Sequence, residues 1–141
     1  MSTGLIRKLY FNNMQQYGLK YYLSFAQEIA QIVSYIGGPS SSIKVFDFGM
    51  GWGKWAMMAK AFGCETYGSE LSPARLKHAT SNGINIVDWD DIPKNQFDFI
   101  NTEQVFEHIA EPLQALRHLK SALKTDGLLK ISVPGTRSID R

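Results

Sequence analysis

Between Ile43 and Val133, short apolar runs alternate with longer stretches whose apolar residues recur every three or four positions, separated by glycine, proline and small polar residues. Ile43, Val45, Phe46 and Phe48, around Lys44 and Asp47, read as a buried strand. Lys54 to Phe62 reads as a helix with Trp55, Met58, Ala59 and Phe62 on one face. Cys64 to Ser69 predicts a second strand. Ser72-Pro73 is an N-cap followed by a proline at the first helical position, opening a helix to about Ser81. Ile84 to Val87 predicts a third strand, Asp88 to Asn95 a polar turn, and Phe97 to Asn101 a fourth strand. Leu113 to Leu123 predicts a helix with Leu116, Leu119, Ala122 and Leu123 inward. A turn at Asp126-Gly127 leads to a fifth strand from Leu128 to Val133. Such alternation predicts an α/β fold, a doubly wound and mostly parallel sheet with helices on both faces, since parallel strands need helix-length crossovers.

Upstream, Leu5 to Ile36 favours helix, with Leu19, Leu23, Ala26, Ile29, Ala30 and Val33 on one face, and Gly37-Gly38-Pro39 stops it. The chain therefore divides into an N-terminal helical segment and linker (1–42) and a core (43–141). Its 141 residues suit one domain.

Charge narrows the partners. The net charge is +2, and Lys and Arg are scattered rather than clustered, which argues against nucleic-acid binding. No apolar run reaches membrane-spanning length and no charged leader precedes the domain, so the expected location is cytoplasmic. Cys64, the only cysteine, rules out an intrachain disulfide and a four-cysteine zinc site, and reads as a small buried hydrophobe. His78, His108 and His118 lack convincing ligand partners, and no metal is expected.

The strand-to-helix turn Asp47-Phe48-Gly49-Met50-Gly51-Trp52-Gly53 carries the most chemistry. Alternate glycines let the backbone turn sharply and approach a ligand, and the following helix aims its unpaired amides and positive dipole end at the same place. A dinucleotide would want a third glycine where Lys54 stands, and a carboxylate at Asp47 would repel a pyrophosphate. The same carboxylate favours the sulfonium and ammonium of S-adenosylmethionine (SAM). About two dozen residues on, Glu70 ends the second strand at the spacing of a ribose-binding acid, and Leu71 is placed to cover adenine. Taken singly, Glu70 is better explained as a solvated acid at a helix start and Leu71 as core; their spacing after this glycine loop favours the functional reading.

Five stretches in order, VFDFGMGWG, YGSELSP, VDWDDIP, FDFINTEQVFEHIAEP and LKTDGLLKISVP, resemble the class I SAM-dependent methyltransferases, especially the branch similar to ubiquinone- and menaquinone-biosynthesis enzymes. The resemblance implies a Rossmann-like sheet and methyl transfer from SAM to a small-molecule acceptor. It implies that Asp47 and Gly49 line the methionine end, that Gly51 and Gly53 shape the loop, and that Glu70 holds the ribose. Asp88 would accept from the adenine amine and the Trp89 amide would donate to a ring nitrogen. Asn101 begins the stretch facing the transferred methyl, and its lack of an Asn/Asp-Pro-Pro-Tyr run disfavours enzymes acting on base amines or glutamine. His108, in a Glu-His pair common in the branch, is the candidate general base, with bracing of the loop as its alternative role. Tyr17, Tyr21, Tyr22 and Phe25 are candidates for a helical lid, although an aromatic row at this spacing also suits plain core.

Two departures stand out. Lys124-Thr125-Asp126-Gly127 replaces a Lys-Pro-Gly-Gly turn, and the chain stops soon after strand five of a sheet that has seven strands in the family. The expectation is a fragment, or a sheet completed by another chain, with the strand-five edge open to self-association. The rival readings are a non-catalytic SAM-binding or interaction module and an NAD-dependent oxidoreductase.

Overall fold

The chain, described here by a computed structural model at Lys20 and residues 22–135, forms five strands: β1 (Lys44–Phe48), β2 (Glu65–Ser69), β3 (Asn85–Ile86), β4 (Phe97–Glu103) and β5 (Leu123–Ser132). They make one sheet in the order β3-β2-β1-β4-β5, with every pairing parallel. Four helices pack on it: α1 (22–36), α2 (Lys54–Ala61), α3 (Pro73–Ser81) and α4 (Pro112–Ser121). This is the α/β Rossmann-like architecture expected of the alternating pattern.

Strand β1 explains why both faces need helices. Val45 and Phe46 are each buried, yet they point to opposite sides, as neighbours on a strand must. Val45 joins Ile29, Ile43, Trp55 and Ala59 under α1 and α2, while Phe46 joins Ile92, Ile100, Leu119 and Ala122 under α4. Phe46 also stacks on Phe97 with ring centroids 4.9 Å apart. A strand apolar on both faces cannot sit at a solvated surface.

Three local expectations need correction. In α1 the buried stripe is Phe25, Ile29 and Ile32, with Val33 and Ile36 packed beside it. Leu23 is 54% exposed and Ala30 is also exposed, while Leu19 lies outside the described residues. Both stripes obey helical spacing, and the residues that meet Val45 of β1 and Trp55 and Ala59 of α2 are the ones turned inward. The third strand shrinks to Asn85–Ile86, and the polar turn after it is a 3-10 helix, Trp89–Lys94. The last helix stops at Ser121, and Leu123 already pairs with Phe97 in β5. Phe99 then pairs with Leu128, so Lys124 to Gly127 bulge from one continuous strand where a turn was expected. Lys124 Nζ holds the bulge by donating to both oxygens of Asp98 at 2.9 Å.

Cys64 is buried, and its thiol is pushed above the ordinary range by burial and then by nearby Asp98, as befits an inert packing residue. Among the described residues no helix is long and apolar enough to cross a membrane.

Candidate functional site

Strand order creates the site. β1 has β2 on one side and β4 on the other, so the connections that leave the carboxyl ends of β1 and β4 run in opposite directions and open a crevice between them. Two cavities fill that crevice and share Gly49 and Gln104 as a common wall. The first, about 270 Å³, is lined by Asp47, Gly49, Gly51 and Asn101, together with Phe25, Trp52 and Lys54. The second, about 460 Å³, is lined by Gly49, Glu70, Leu71, Asp88, Trp89 and His108.

The glycine loop is held by β2. Met50 N–H donates to Ser69 O at 2.9 Å, and Gly51 N–H donates to Glu70 Oε2 at 2.9 Å. Gly49, Gly51 and Gly53 all adopt left-handed backbone, with φ of 70°, 57° and 73°. At Gly49 a Cβ would also lie 2.7 Å from Val105 Cγ2, so a side chain is excluded twice over. Gly53 lines neither cavity; it is the left-handed N-cap from which α2 starts.

Asp47 and Asn101 are Cα partners in the β1–β4 register, and both side chains are buried. Asn101 Nδ2 donates to Asp47 Oδ1 at 2.9 Å, which leaves Asn101 Oδ1 buried without a donor among the described residues. The Asp47 carboxyl is pushed up to about 7. Burial is the main cause, opposed by the Asn101 hydrogen bond, with Glu103 nearby adding to the rise and the Ala56 amide and Lys130 countering it. A buried carboxyl beside an acceptor without a donor is an arrangement that a cationic hydrogen-bond donor would complete.

Glu70 is locked in place. Besides Gly51 it accepts from the amides of Leu71 at 2.9 Å and Ser72 at 3.1 Å, and Arg75 Nη1 lies 3.6 Å from Oε2. Leu71 is 95% exposed at the rim. Asp88 is exposed at the start of the 3-10 helix, and Trp89 stacks on His118 with centroids 4.0 Å apart and planes 12° from parallel. The His108 ring is 79% exposed, with Nε2 3.9 Å from Glu107 Oε1. It lines the second cavity and not the one holding Asp47.

A profile of the methyltransferase domain family matches residues 19–141, most of the chain. The chain belongs to the methyltransferase domain family. It is 31% identical over 104 residues to the ubiquinone biosynthesis O-methyltransferase of Actinobacillus pleuropneumoniae serotype 5b, an alignment covering 63% of this chain and 44% of that protein. It is 32% identical, with the same coverage, to the namesake from Glaesserella parasuis serovar 5. This methyltransferase domain thus spans less than half the length of the curated relatives it matches. Among solved structures, the TehB-like SAM-dependent methyltransferase of Corynebacterium glutamicum superposes with a TM-score of 0.65 at 23% identity, covering 87% of this chain and 68% of that one. The magnesium protoporphyrin IX methyltransferase of Synechocystis PCC 6803, solved with bound SAM, gives 0.60 at 20% identity over 73% and 54% of the two chains. Family membership removes the footing of the dehydrogenase reading.

Several residues of this methyltransferase domain's crevice have no signature in the sequence. Gln104 is the one non-glycine residue among those described with positive φ, 57°, and it lines both cavities. Asparagine at such a position would announce itself; glutamine does not. Glu28 of α1 accepts from Trp55 Nε1 at 2.7 Å and lies 2.5 Å from Lys130 Nζ, which in turn lies 3.7 Å from Glu103. That chain fastens α1 to α2 and β5 beside the first cavity. Of the aromatic lid candidates, Phe25 lines this cavity, whereas Tyr17 and Tyr21 lie outside the described residues.

Proposed function

We propose that this chain binds S-adenosylmethionine across both cavities and is the cofactor half of an enzyme that transfers its methyl group to a small-molecule acceptor. The observation that carries the reading is the pairing of buried Asp47 with the unpartnered Asn101 Oδ1 at one end of a crevice whose other end holds Glu70. One end suits an ammonium donor and the other a vicinal diol, which matches the two polar ends of this cofactor.

In this reading Asp47 and Asn101 hold the amino-acid end, with Gly49 and Gly51 close against it, and Gly53 sets the loop from which α2 begins. Glu70, with three of its acceptor positions occupied by backbone amides, keeps its remaining lone pair for the ribose. Leu71, Asp88 and Trp89 take the adenine.

The cofactor supplies a methyl group on a sulfonium, already a good leaving group. The protein's task is therefore to align donor and acceptor and keep water from the path. Gln104, on the wall between the cavities, stands where the two substrates would meet. For an acceptor with an ionisable O–H, His108 is assigned proton removal, and H108A should lower kcat without weakening cofactor binding. The division into an N-terminal lid and linker (1–42) and a core (43–141) belongs to the same reading; residues 1–19 and 21 of the first segment lie outside the described residues.

Among the described residues no strand pairs with the outer side of β5, and Leu128 and Ile131 of that strand are exposed, which supports self-association or completion by further strands at this edge. A cytoplasmic location belongs to the same reading, and the scattered basic residues give no reason to include nucleic acid among the partners.

The test is calorimetric titration of folded protein with S-adenosylhomocysteine, the demethylated product. Binding that D47A and E70A each weaken supports the assignment. Absence of affinity for this nucleoside and for SAM overturns it.

A further inference from the structure

Arg75 stands where a cation is locally disfavoured. It is the third residue of α3, a helix whose first turn holds no acidic residue, so the positive end of the helix repels it. Two contacts offset that cost. Arg75 Nη1 lies 3.6 Å from Glu70 Oε2, and the guanidinium sits over the Trp52 ring with Cζ 5.8 Å from its centroid. His78, one turn further along α3, meets the same ring edge-on at 5.5 Å. Trp52 lines the first cavity and Arg75 the second, so the pair joins the walls of the two.

Glu70 shares out its oxygens unequally. Oε1 accepts from the amides of Leu71 and Ser72, whereas Oε2 accepts only from Gly51 N–H among the described residues. The 3.6 Å from Nη1 to Oε2 is too long for a hydrogen bond but short enough for attraction between opposite charges. Arg75 thus gives Oε2 a counter-charge and leaves its free lone pair open. We propose that Arg75, braced by the Trp52 ring, is a positioning residue that holds the Glu70 carboxylate charged and aimed at the ribose diol. The proposal rests on the cofactor reading above and adds a residue that acts through Glu70. A guanidinium suits the task, because it stacks on a ring and stays charged at every working pH.

The experiment compares S-adenosylhomocysteine with its 2′,3′-dideoxy analogue by calorimetry on wild type, R75M, R75K, E70Q and the R75M/E70Q double variant. Wild type should prefer the diol-bearing nucleoside by about tenfold, the scale of a hydrogen bond to a charged group. R75M should weaken S-adenosylhomocysteine by about fivefold, the upper end for a partly exposed ion pair, and leave the dideoxy analogue unchanged. R75K should restore the preference, which separates lost charge from lost folding. In the E70Q background R75M should change neither affinity. Equal weakening of both nucleosides by R75M, or of neither, overturns the role of Arg75 while the cofactor reading stands. Equal wild-type affinity for the two removes the ribose from Glu70 and overturns the proposal with it. If wild type binds neither, the cofactor reading falls as well.

Discussion

Asn101 and Asp47 lie directly opposite each other in the β1–β4 register, and the Asn101 amide donates to Asp47 Oδ1 at 2.9 Å in an otherwise buried setting. One hydrogen bond and one helix amide do not replace the water that a carboxylate loses on burial, and the carboxyl is pushed up to about 7. Cofactor binding and protein stability should therefore depend on pH in opposite senses.

In the proposed reading the cationic tail of the cofactor would bind the ionised form of the Asp47 carboxyl. Affinity for S-adenosylhomocysteine should rise with pH to a plateau above about 8, and at pH 6 it should be roughly tenfold weaker, since only about a tenth of the sites are ionised one unit below the pKa. Calorimetry from pH 5.5 to 8.5 measures this. D47N should bind weakly with no such rise.

Stability runs the other way. Below pH 3.8 the carboxyl is protonated in both the folded and unfolded states and contributes nothing. Between 3.8 and about 7 the folded state holds the proton more tightly, so stability falls as pH rises, by about 4 kcal/mol over the window. D47N removes that penalty. Its urea midpoint should exceed that of wild type at pH 8, and the difference should shrink towards pH 4; equal midpoints at pH 8 would count against the buried charge.

His118 and Trp89 make a second diagnostic pair. The rings stack at 4.0 Å and His118 Nε2 lies 2.7 Å from the Trp89 carbonyl oxygen, which fixes the turn that presents Asp88 and Trp89. H118A should weaken nucleoside binding by roughly fivefold, about 1 kcal/mol for the lost stack and hydrogen bond. S-adenosylhomocysteine and 5′-methylthioadenosine should suffer equally, because both carry adenine. An effect confined to the former would place His118 elsewhere in the mechanism.

Gly49 tests the loop. G49A imposes left-handed backbone on alanine and drives a Cβ to 2.7 Å from Val105 Cγ2, so it should cost about 2 kcal/mol in urea unfolding and abolish measurable cofactor binding. G51A meets no atom within 4 Å and carries only the backbone strain, so its stability loss should be the smaller of the two.

Much of this protein was written locally. The two-sided apolar run at Val45 and Phe46 demanded a covered parallel strand, Ser72-Pro73 opened α3, and alternate glycines after Asp47 foretold the sharp turn, since each signal acts within a few residues of itself. Tertiary pairing decided the rest. Phe25, Ile29 and Ile32 became the inner stripe of α1 because of what they pack against, and Leu123 left its helix because Phe97 offered it a strand partner. Gln104 took a left-handed turn that nothing in its neighbourhood announces. The orphaned acceptor of Asn101 exists only because β4 lies beside β1 in one register, which brings two residues distant in the chain within 2.9 Å. Spacing along a chain encodes period and turn chemistry, whereas burial, charge balance and unpaired atoms belong to contacts that form only when the sheet closes.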